Sequence, residues 1–296
     1  MVVPPALFFV SGATDIMPEL PEVETVASDL RKQLIGRRID AARFLWERTL
    51  AHPDLHTLEE TICGRRVVDV GRRGKYLLIQ LDDGESLIVH LRMTGQLAVV
   101  EAGSPLLSDK HTRAWFQLAD GEALVFTDSR KFGRIWLVHD STEVTGKLGP
   151  EPLAWDFAAE SFAERLGRRR VAIKAVLLDQ TTVAGVGNIY ADESLFRAGI
   201  HPLRKAATLN REEAERLYLS LREVLEEAIH KRGTLLRDYR TPYGEDGYFQ
   251  NDLRVYGKRG KPCPTCGSPI ERIRVTQRST HFCPHCQRAE DIAAEG

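Results

Sequence analysis

Four of the five cysteines stand near the end of the chain as two C-x-x-C pairs, Cys263 with Cys266 and Cys283 with Cys286. Sixteen residues separate the two pairs. Each pair can hold one tetrahedral metal ion from a tight turn, and four thiolates complete the coordination of Zn²⁺ without leaving an open position. The spacing therefore predicts one structural zinc ion in a small, turn-rich module, with no catalytic role for the metal.

The remaining composition indicates a globular protein. With 296 residues, of which 43% are hydrophobic and 28% charged, the chain has room for two domains of ordinary size. Without a secretory signal, the cysteine pairs favour metal binding in a reducing, cytoplasmic compartment over disulfides. The isolated Cys63 is expected to be a small buried residue. No apolar stretch reaches the roughly 20 residues that a membrane-spanning helix needs, so no membrane partner is expected.

The charge is unevenly distributed, although the formal net charge is only −1. Residues 251–288 contain eight lysines and arginines against two acidic residues, and residues 64–77 contain five against one. Local basic patches on a nearly neutral chain are consistent with one face that binds a polyanion. An ordinary solvated surface is the alternative interpretation.

The pattern of apolar residues divides the chain into regions of different structure. Helical spacing between 21 and 34 predicts an amphipathic helix, and short β-rich runs from 38 to 138 predict a sandwich or barrel of antiparallel strands. A Gly- and Pro-bearing linker follows at about 146–157, and the chain then becomes helical, with a long helix at about 210–230. The predicted fold class is α+β with several domains.

The turn VAGVGNIYADE, with Gly185 and Gly187 before a helix at Asn188, allows two interpretations. Glycines let backbone N–H groups approach a ligand, and a helix N-terminus attracts a phosphate. Close packing of the turn against another segment would require the same glycines. The turn is not a nucleotide P-loop, because no Gly-Lys-Ser/Thr sequence follows.

Six segments in order along the chain carry a resemblance to one family. They are PELPEVET (18–25), GRRGKYLLIQL (71–81), HLRMTGQL (90–97), TDSRKFG (127–133), AGVGNIYADESLF (184–196) and the zinc segment with TQRSTHFC (276–283). These segments resemble bacterial formamidopyrimidine-DNA glycosylase, the bifunctional repair enzyme for oxidised purines. Together they cover essentially all of residues 17–288.

The resemblance implies a division of the chain and a set of partners. The expected parts are an extension (1–16), an N-terminal β-sandwich domain with flanking helices (17–148), a helical helix–two-turn–helix domain with a lesion-capping loop (149–250), a four-cysteine zinc-finger hairpin (251–288) and a tail (289–296). The expected partner is double-stranded DNA that contains oxidised bases or abasic sites, bound by a monomer in the bacterial cytoplasm. One structural Zn²⁺ and no organic cofactor are expected.

For catalysis, the resemblance implies that the secondary amine of an N-terminal Pro18 attacks C1′ and forms a Schiff base, and that β,δ-elimination follows. Glu19 would act as acid and base at the sugar ring oxygen, and Glu22 would position water or the amine. Lys75 and Arg278 complete the implied catalytic set, and both match contacts to phosphate. The alternative is that these residues have only a structural role: PELPE is then a helix N-terminus with acidic residues in its first turn, and Lys75 is a surface lysine.

For DNA binding, the resemblance implies that the damaged base is flipped out of the duplex. Met93, Arg130 and Phe132 match the residues that fill the vacated stack, and Arg130 would contact the orphaned cytosine; without the family, Met93 and Phe132 would be assigned to the core. The other implied DNA-binding residues are His90, Lys131, Lys174 and Asn188, with Lys174 near the damaged base or its strand. The loop at about 237–250 is either the family's lid or an ordinary loop.

Three departures from the family pattern are visible. Arg92 stands where glycine is common, and Lys131 stands where arginine is common. The third departure is the extension, because an internal Pro18 has an amide nitrogen whose lone pair is delocalised into the carbonyl. We therefore expect translation to start at Met17, with Met17 removed, so that the extension is a misassigned start.

Two other functions fit parts of the sequence. One is an endonuclease VIII-like glycosylase for oxidised pyrimidines, although PELPE and SRKFG favour the purine-directed branch. The other is a non-catalytic zinc-ribbon DNA-binding protein, which would result if the Pro18 nitrogen stayed blocked.

Overall fold

The first regular element is helix α1 (Leu20–Leu34), which begins one residue before the predicted helix and ends where it was predicted to end. Its apolar face, including Val23 and Leu30, is fully buried.

The structure, a computed structural model, describes residues 17–234 and 247–288. The extension, most of the expected lid loop and the tail lie outside the described residues.

The β-rich region forms two sheets that share one hydrophobic core. One sheet has the strand order β1-β7-β8-β6, and the other has the order β2-β9-β5-β4-β3. The strands are β1 (Ile39–Phe44), β2 (Leu50–His52), β3 (Val67–Arg73), β4 (Tyr76–Leu81), β5 (Ser86–His90), β6 (Gly95–Val100), β7 (Thr112–Leu118), β8 (Ala123–Asp128) and β9 (Arg134–Val138). The predicted antiparallel sandwich is confirmed, except that the short β2 pairs with β9 in parallel.

Helix α2 (Leu55–Ile62) interrupts the β-rich region and was not predicted. Its signals are local: Asp54 caps the first turn by accepting a hydrogen bond from the Thr57 N–H at 3.1 Å, and Leu58 and Ile62 are buried. The expectation for Cys63, the residue that follows, was wrong. Cys63 ends the helix at the surface and is exposed, with its thiol donating to the Asp40 carbonyl.

The second half of the chain is helical and ends in a hairpin, as predicted. Its elements are α3 (Thr142–Thr145), α4 (Ala159–Gly167), α5 (Ile173–Leu178), α6 (Asn188–Ala198), α7 (Arg211–His230), β10 (Glu271–Val275) and β11 (Arg278–Phe282). Asn210 caps α7 by accepting from the Glu213 N–H at 2.9 Å. Helix α1 contacts both β3 and α7, so it joins the two halves. Within residues 17–234 and 247–288, every helix is too short or too polar to cross a membrane.

Two adjacent acidic residues of α6 hold the zinc-hairpin segment in place. Glu193 is 3% exposed, and its carboxylate accepts hydrogen bonds from three consecutive backbone N–H groups, those of residues 254–256, at 2.8–3.0 Å. Asp192 accepts from the His281 N–H at 2.8 Å on β11. The zinc hairpin and the segment that leads into it are therefore both fixed to α6.

Replacing Glu193 with alanine is expected to detach this segment. The change leaves three backbone donors without their acceptor, one of them buried and two partly buried, and it should lower the free energy of unfolding by on the order of 3 kcal/mol. Thermal and urea denaturation measure the loss. Glu223→Ala on α7 is the matched control, because the Glu223 side chain is 59% exposed and pairs only at the surface with Arg197. Equal losses in the two variants would contradict this assignment.

Candidate active site

The start of the described chain is buried between the two halves of the molecule. The Leu20 N–H donates to the Gly185 carbonyl at 3.0 Å. The Glu19 carboxylate accepts from the N–H groups of Ile189 at 2.9 Å and Tyr190 at 3.4 Å, in the first turn of α6. The N-terminus of α6 therefore receives a protein carboxylate, which its dipole favours.

The glycines of the preceding turn are explained by close packing. A Cβ on Gly187 would lie 2.3 Å from Glu19 Cδ, and a Cβ on Gly185, where φ is +83°, would lie 2.8 Å from the Leu20 side chain. Any larger residue at either position would push the start of the chain away from α6. Of the two interpretations open from the sequence, the packing one accounts for both glycines.

Glu22 ties the same segment to two further elements. Its Oε2 accepts from the Glu19 N–H at 3.0 Å, and its Oε1 accepts from the Tyr190 hydroxyl at 2.6 Å and the Thr234 N–H at 2.8 Å. Burial raises the pKa of Tyr190 well above its usual value, and the nearby Glu22 adds to that effect. The Tyr190 phenol therefore stays protonated and remains a donor to Glu22.

A cleft of about 330 Å³ opens between the sandwich and the helical half. Five of the residues predicted from the sequence line it: Glu19, Lys75, His90, Asn188 and Arg278. Pro18 is buried, and its neighbours Met17 and Glu19 both face the cleft. The structure thus brings together residues from the first helix, the sandwich, the helical half and the zinc hairpin.

Burial dominates the ionisation of Glu19, which is 2% exposed. Burial raises the pKa of Glu19 to about 7; Lys75 lowers it, Glu22 raises it further, and the two α6 N–H groups lower it. A carboxyl group with such a pKa is protonated in about half of the molecules at neutral pH, so Glu19 can both donate and accept a proton there.

Lys75 is a buried residue of the cleft, 5% exposed, and not a surface lysine. It follows Gly74 in the turn between β3 and β4, where φ of Gly74 is +56°. Glu151 holds this turn, because its carboxylate accepts from the Gly74 N–H at 2.5 Å and from Arg72 at 2.6 Å. Burial lowers the pKa of Lys75, while Glu19 and Glu22 raise it.

His90 and Arg278 place donors at the cleft. Burial lowers the pKa of His90 to about 3, with Arg92 and Lys75 acting in the same direction, so the ring is neutral. Its Nδ1 accepts from the Arg92 N–H at 3.0 Å, which leaves the proton on Nε2 as a donor. Arg278 follows a turn in which Thr276 and Gln277 both have positive φ, the geometry of a type I′ hairpin.

Lys174 lies behind the cleft and not within its lining. It is 0% exposed, and its ammonium group donates to Asp192 at 2.6 Å and to the Ser279 carbonyl at 3.0 Å. Asn188 donates to the same carbonyl at 2.9 Å. Both residues therefore hold the hairpin beside Arg278.

Two residues with supporting contacts were given no role from the sequence, although both stand in the quoted NIYADE motif. Asp192 binds Lys174 and the hairpin, and Glu193 binds the segment that leads into the hairpin.

A second group of predicted residues lies on two loops, one after β5 and one after β8. Phe132 is 51% exposed, so it is not a core residue, and the Arg130 guanidinium lies 5.0 Å from the centre of its ring. Arg92 has φ of +57° and Lys131 has φ of +60°. The left-handed backbone at Arg92 explains why glycine suits this position. The Lys131 ammonium lies 3.9 Å from the centre of the Trp46 ring.

The four cysteine sulfurs form a metal site near the end of the chain. All four lie within 4.8 Å of one another, with Sγ–Sγ distances of 3.4 Å for Cys266 and Cys283 and 3.9 Å for Cys263 and Cys286. Zinc–sulfur bonds of about 2.3 Å in a tetrahedron place the sulfurs about 3.8 Å apart, so the residues fit the ion. The predicted single structural zinc is confirmed, and these four residues would hold the ion between the two turns that flank β10 and β11.

Comparison with known proteins matches this architecture along the chain. Three family models match in order: the formamidopyrimidine-DNA glycosylase N-terminal domain at residues 17–135, the formamidopyrimidine-DNA glycosylase H2TH domain at 148–239, and a zinc finger found in FPG and IleRS at 260–289. The structure has the same parts in the same order: a β-sandwich, a helical half and a zinc hairpin, with a cleft between the first two. This is the architecture of a zinc-finger DNA glycosylase.

Individual relatives cover nearly the whole chain. The formamidopyrimidine-DNA glycosylase of Herpetosiphon aurantiacus is 50% identical over 275 residues, which span 92% of this chain and 100% of the relative. A crystal structure of a Lactococcus lactis FPG variant with DNA containing Fapy-dG has a TM-score of 0.86 at 38% identity, covering 92% of this chain and 100% of that one. The MutM (FPG) protein of Thermus thermophilus has a TM-score of 0.82 at 44% identity, covering 91% and 98%. The chain belongs to the formamidopyrimidine-DNA glycosylase family.

The raised pKa of Glu19 leads to a prediction about stability. Its pKa of about 7 in the folded protein exceeds the ordinary value of 4.5, so the unfolded chain binds fewer protons between these two values. Stability is therefore lost as the pH rises from about 4.5 through 7. Glutamine carries no charge, so Glu19→Gln should be more stable than the parent at pH 8, by on the order of 1–3 kcal/mol.

The measurement is urea denaturation of both proteins at pH 5 and pH 8. The stability difference should grow with pH for Glu19→Gln and stay constant for the exposed control Glu223→Gln. A difference of the same size at both pH values would show that Glu19 is ionised throughout this range.

Proposed function

We propose that this protein is a bifunctional DNA glycosylase and AP lyase of base excision repair that removes oxidised purines, namely 8-oxoguanine opposite C and formamidopyrimidines. The observation that carries the proposal is the buried Glu19, with its pKa raised to about 7, held on the N-terminus of α6 directly after Pro18. An ordinary structural carboxylate on a helix N-terminus is stabilised as the anion. Glu19 is instead suited to exchange a proton with a substrate.

The first chemical step is assigned to Pro18. As a chain terminus, its secondary amine attacks C1′, the C1′–N bond to the damaged base breaks, and the base leaves with the bonding electrons and a proton. A terminal α-amine has a pKa of about 8, so a usable neutral fraction exists at physiological pH. An amide nitrogen cannot react in this way. The active form therefore begins at Pro18, and the matches to the family begin at residue 17.

Glu19 donates its proton to the ring oxygen of the sugar, so that the ring opens and the Pro18 adduct becomes an iminium ion. The iminium withdraws electrons and acidifies C2′, which allows the 3′ phosphate and then the 5′ phosphate to leave. Glu22, which accepts from the Glu19 N–H, positions the start of the chain. Lys75, His90 and Arg278 receive the phosphates that flank the lesion, and Asn188 lines the same cleft.

The two loops after β5 and β8 are assigned to the duplex. Met93 and Phe132 enter the gap left by the flipped base, and Arg130 contacts the unpaired cytosine. Lys131 adds positive charge beside them. Lys174 supports the hairpin that carries Arg278 through its contact with Ser279. The zinc ion holds that hairpin and takes no part in a chemical step.

The relatives support this substrate class. The named curated relatives are formamidopyrimidine-DNA glycosylases, and three of the similar solved structures hold DNA with Fapy-dG, an abasic site or carbocyclic 8-oxo-G. We further propose the division at residues 148 and 250 into sandwich, helical and zinc-finger domains, and action at the bacterial nucleoid in the cytoplasm.

The test uses the chain that begins at Pro18. Duplexes that contain 8-oxoguanine opposite C, thymine glycol or no lesion are incubated with the protein, and borohydride is added to trap the Schiff base. We expect a covalent adduct with the 8-oxoguanine duplex that is lost in Pro18→Gly and kept in the control Pro21→Ala. Faster processing of thymine glycol would favour the endonuclease VIII-like function. DNA binding without any adduct would favour the non-catalytic zinc-ribbon protein.

A further inference from the structure

The two loops that carry Met93 and Arg130 meet at one buried carboxylate. Asp128 is the last residue of β8, lies 1% exposed, and pairs in the sheet with Gly95 at the start of β6. It stands between the loop after β5 and the loop that ends at Gly133. Neither the family motifs nor the charge pattern assigns it a role.

Both carboxylate oxygens of Asp128 are used to shape these loops. Oδ1 accepts from the Arg130 N–H at 3.1 Å, and Oδ2 accepts from the Gly133 N–H at 2.7 Å. The short loop thus wraps around the carboxylate from both ends. A Cβ on Gly133 would lie 2.4 Å from the Phe126 ring, so no larger residue can close the loop in this way.

Thr94 joins the other loop to this carboxylate. The Thr94 hydroxyl donates to Asp128 Oδ1 and accepts from the Arg130 N–H at 3.3 Å. Thr94 directly follows Met93, so one hydroxyl group connects the backbone beside Met93 with the backbone of Arg130. The base of the assembly is also fixed, because Arg113 is 6% exposed and its Nε donates to the Asp128 carbonyl at 2.7 Å.

We propose that Thr94 and Asp128 are positioning residues that join the two loops into one unit and so set how strictly the enzyme selects the base opposite the lesion. The proposal rests on the proposed function, in which Met93 fills the gap and Arg130 contacts the opposite cytosine. Selection requires Arg130 to be placed correctly relative to the gap, and the hydroxyl of Thr94 fixes that relative position. Uncoupled loops would still enter the duplex, but Arg130 would discriminate less between cytosine and adenine opposite the lesion.

The test compares Thr94→Val, which removes only the hydroxyl from a side chain of the same shape, with Thr94→Ser, which keeps it. Thr127→Val on β8 is the matched control, since Thr127 is half-buried and adjacent side chains of a strand point to opposite faces of the sheet. Single-turnover excision of 8-oxoguanine is measured opposite C and opposite A. The ratio of the two rates should fall about fivefold in Thr94→Val, the size expected for the loss of one ordinary hydrogen bond between the loops. The ratio should stay within about twofold of the parent in Thr94→Ser, which keeps the hydroxyl, and in Thr127→Val, which does not alter Thr94.

Asp128→Asn provides a second test, because asparagine keeps the shape but replaces one acceptor oxygen with a donor. It should lower the same ratio, and thermal denaturation shows that each variant compared is folded. An unchanged ratio in folded Thr94→Val and Asp128→Asn would overturn the coupling while leaving the proposed function intact. A parent protein that does not excise 8-oxoguanine at all would overturn the proposed function, and the coupling with it.

Discussion

The contact between the Glu19 carboxylate and the first turn of α6 is the interaction on which the rest of the site depends. It holds the start of the chain against the helical half, and the Glu19 side chain is almost fully buried there. Gly185 and Gly187 permit the approach, and Leu20 donates to the turn beside them. Through this contact the sandwich and the helical half share one cleft, which Met17 and Glu19, the neighbours of Pro18, both line.

Burial gives this cleft its chemical character. It raises the pKa of Glu19 to about 7, lowers the pKa of Lys75 and lowers that of His90 to about 3. The site therefore combines a carboxyl group that can exchange protons at neutral pH with a neutral imidazole donor. Supporting contacts keep these groups in place: Glu151 holds the turn before Lys75, and α6 holds the hairpin that carries Arg278. The zinc ion contributes by shaping that hairpin.

The features that could be predicted from the sequence are those set by local spacing. The cysteine pairs, the amphipathic α1 and α7, and the alternating strands each follow from residues close in sequence. The site residues were recognised through family motifs, and the structure brings five of them into one cleft. Buried partners escaped prediction, because Asp192 and Glu193 bind backbone groups of segments distant in sequence, and Asp128 binds the hydroxyl of the distant Thr94. The parallel pairing of β2 with β9 and the exposure of Cys63 likewise depend on tertiary packing.

In the mechanism proposed above, this packing delivers the nitrogen of Pro18, and no other amine of the cleft, to the sugar of a flipped nucleotide. Lys75 is the competing amine, since it lies in the same cleft with a lowered pKa. The most direct measurement is to trap the adduct between the chain beginning at Pro18 and an 8-oxoguanine duplex with borohydride, digest it, and locate the attached sugar by tandem mass spectrometry. We expect to find the sugar on the nitrogen of Pro18; a sugar on Nζ of Lys75 would contradict the proposed mechanism.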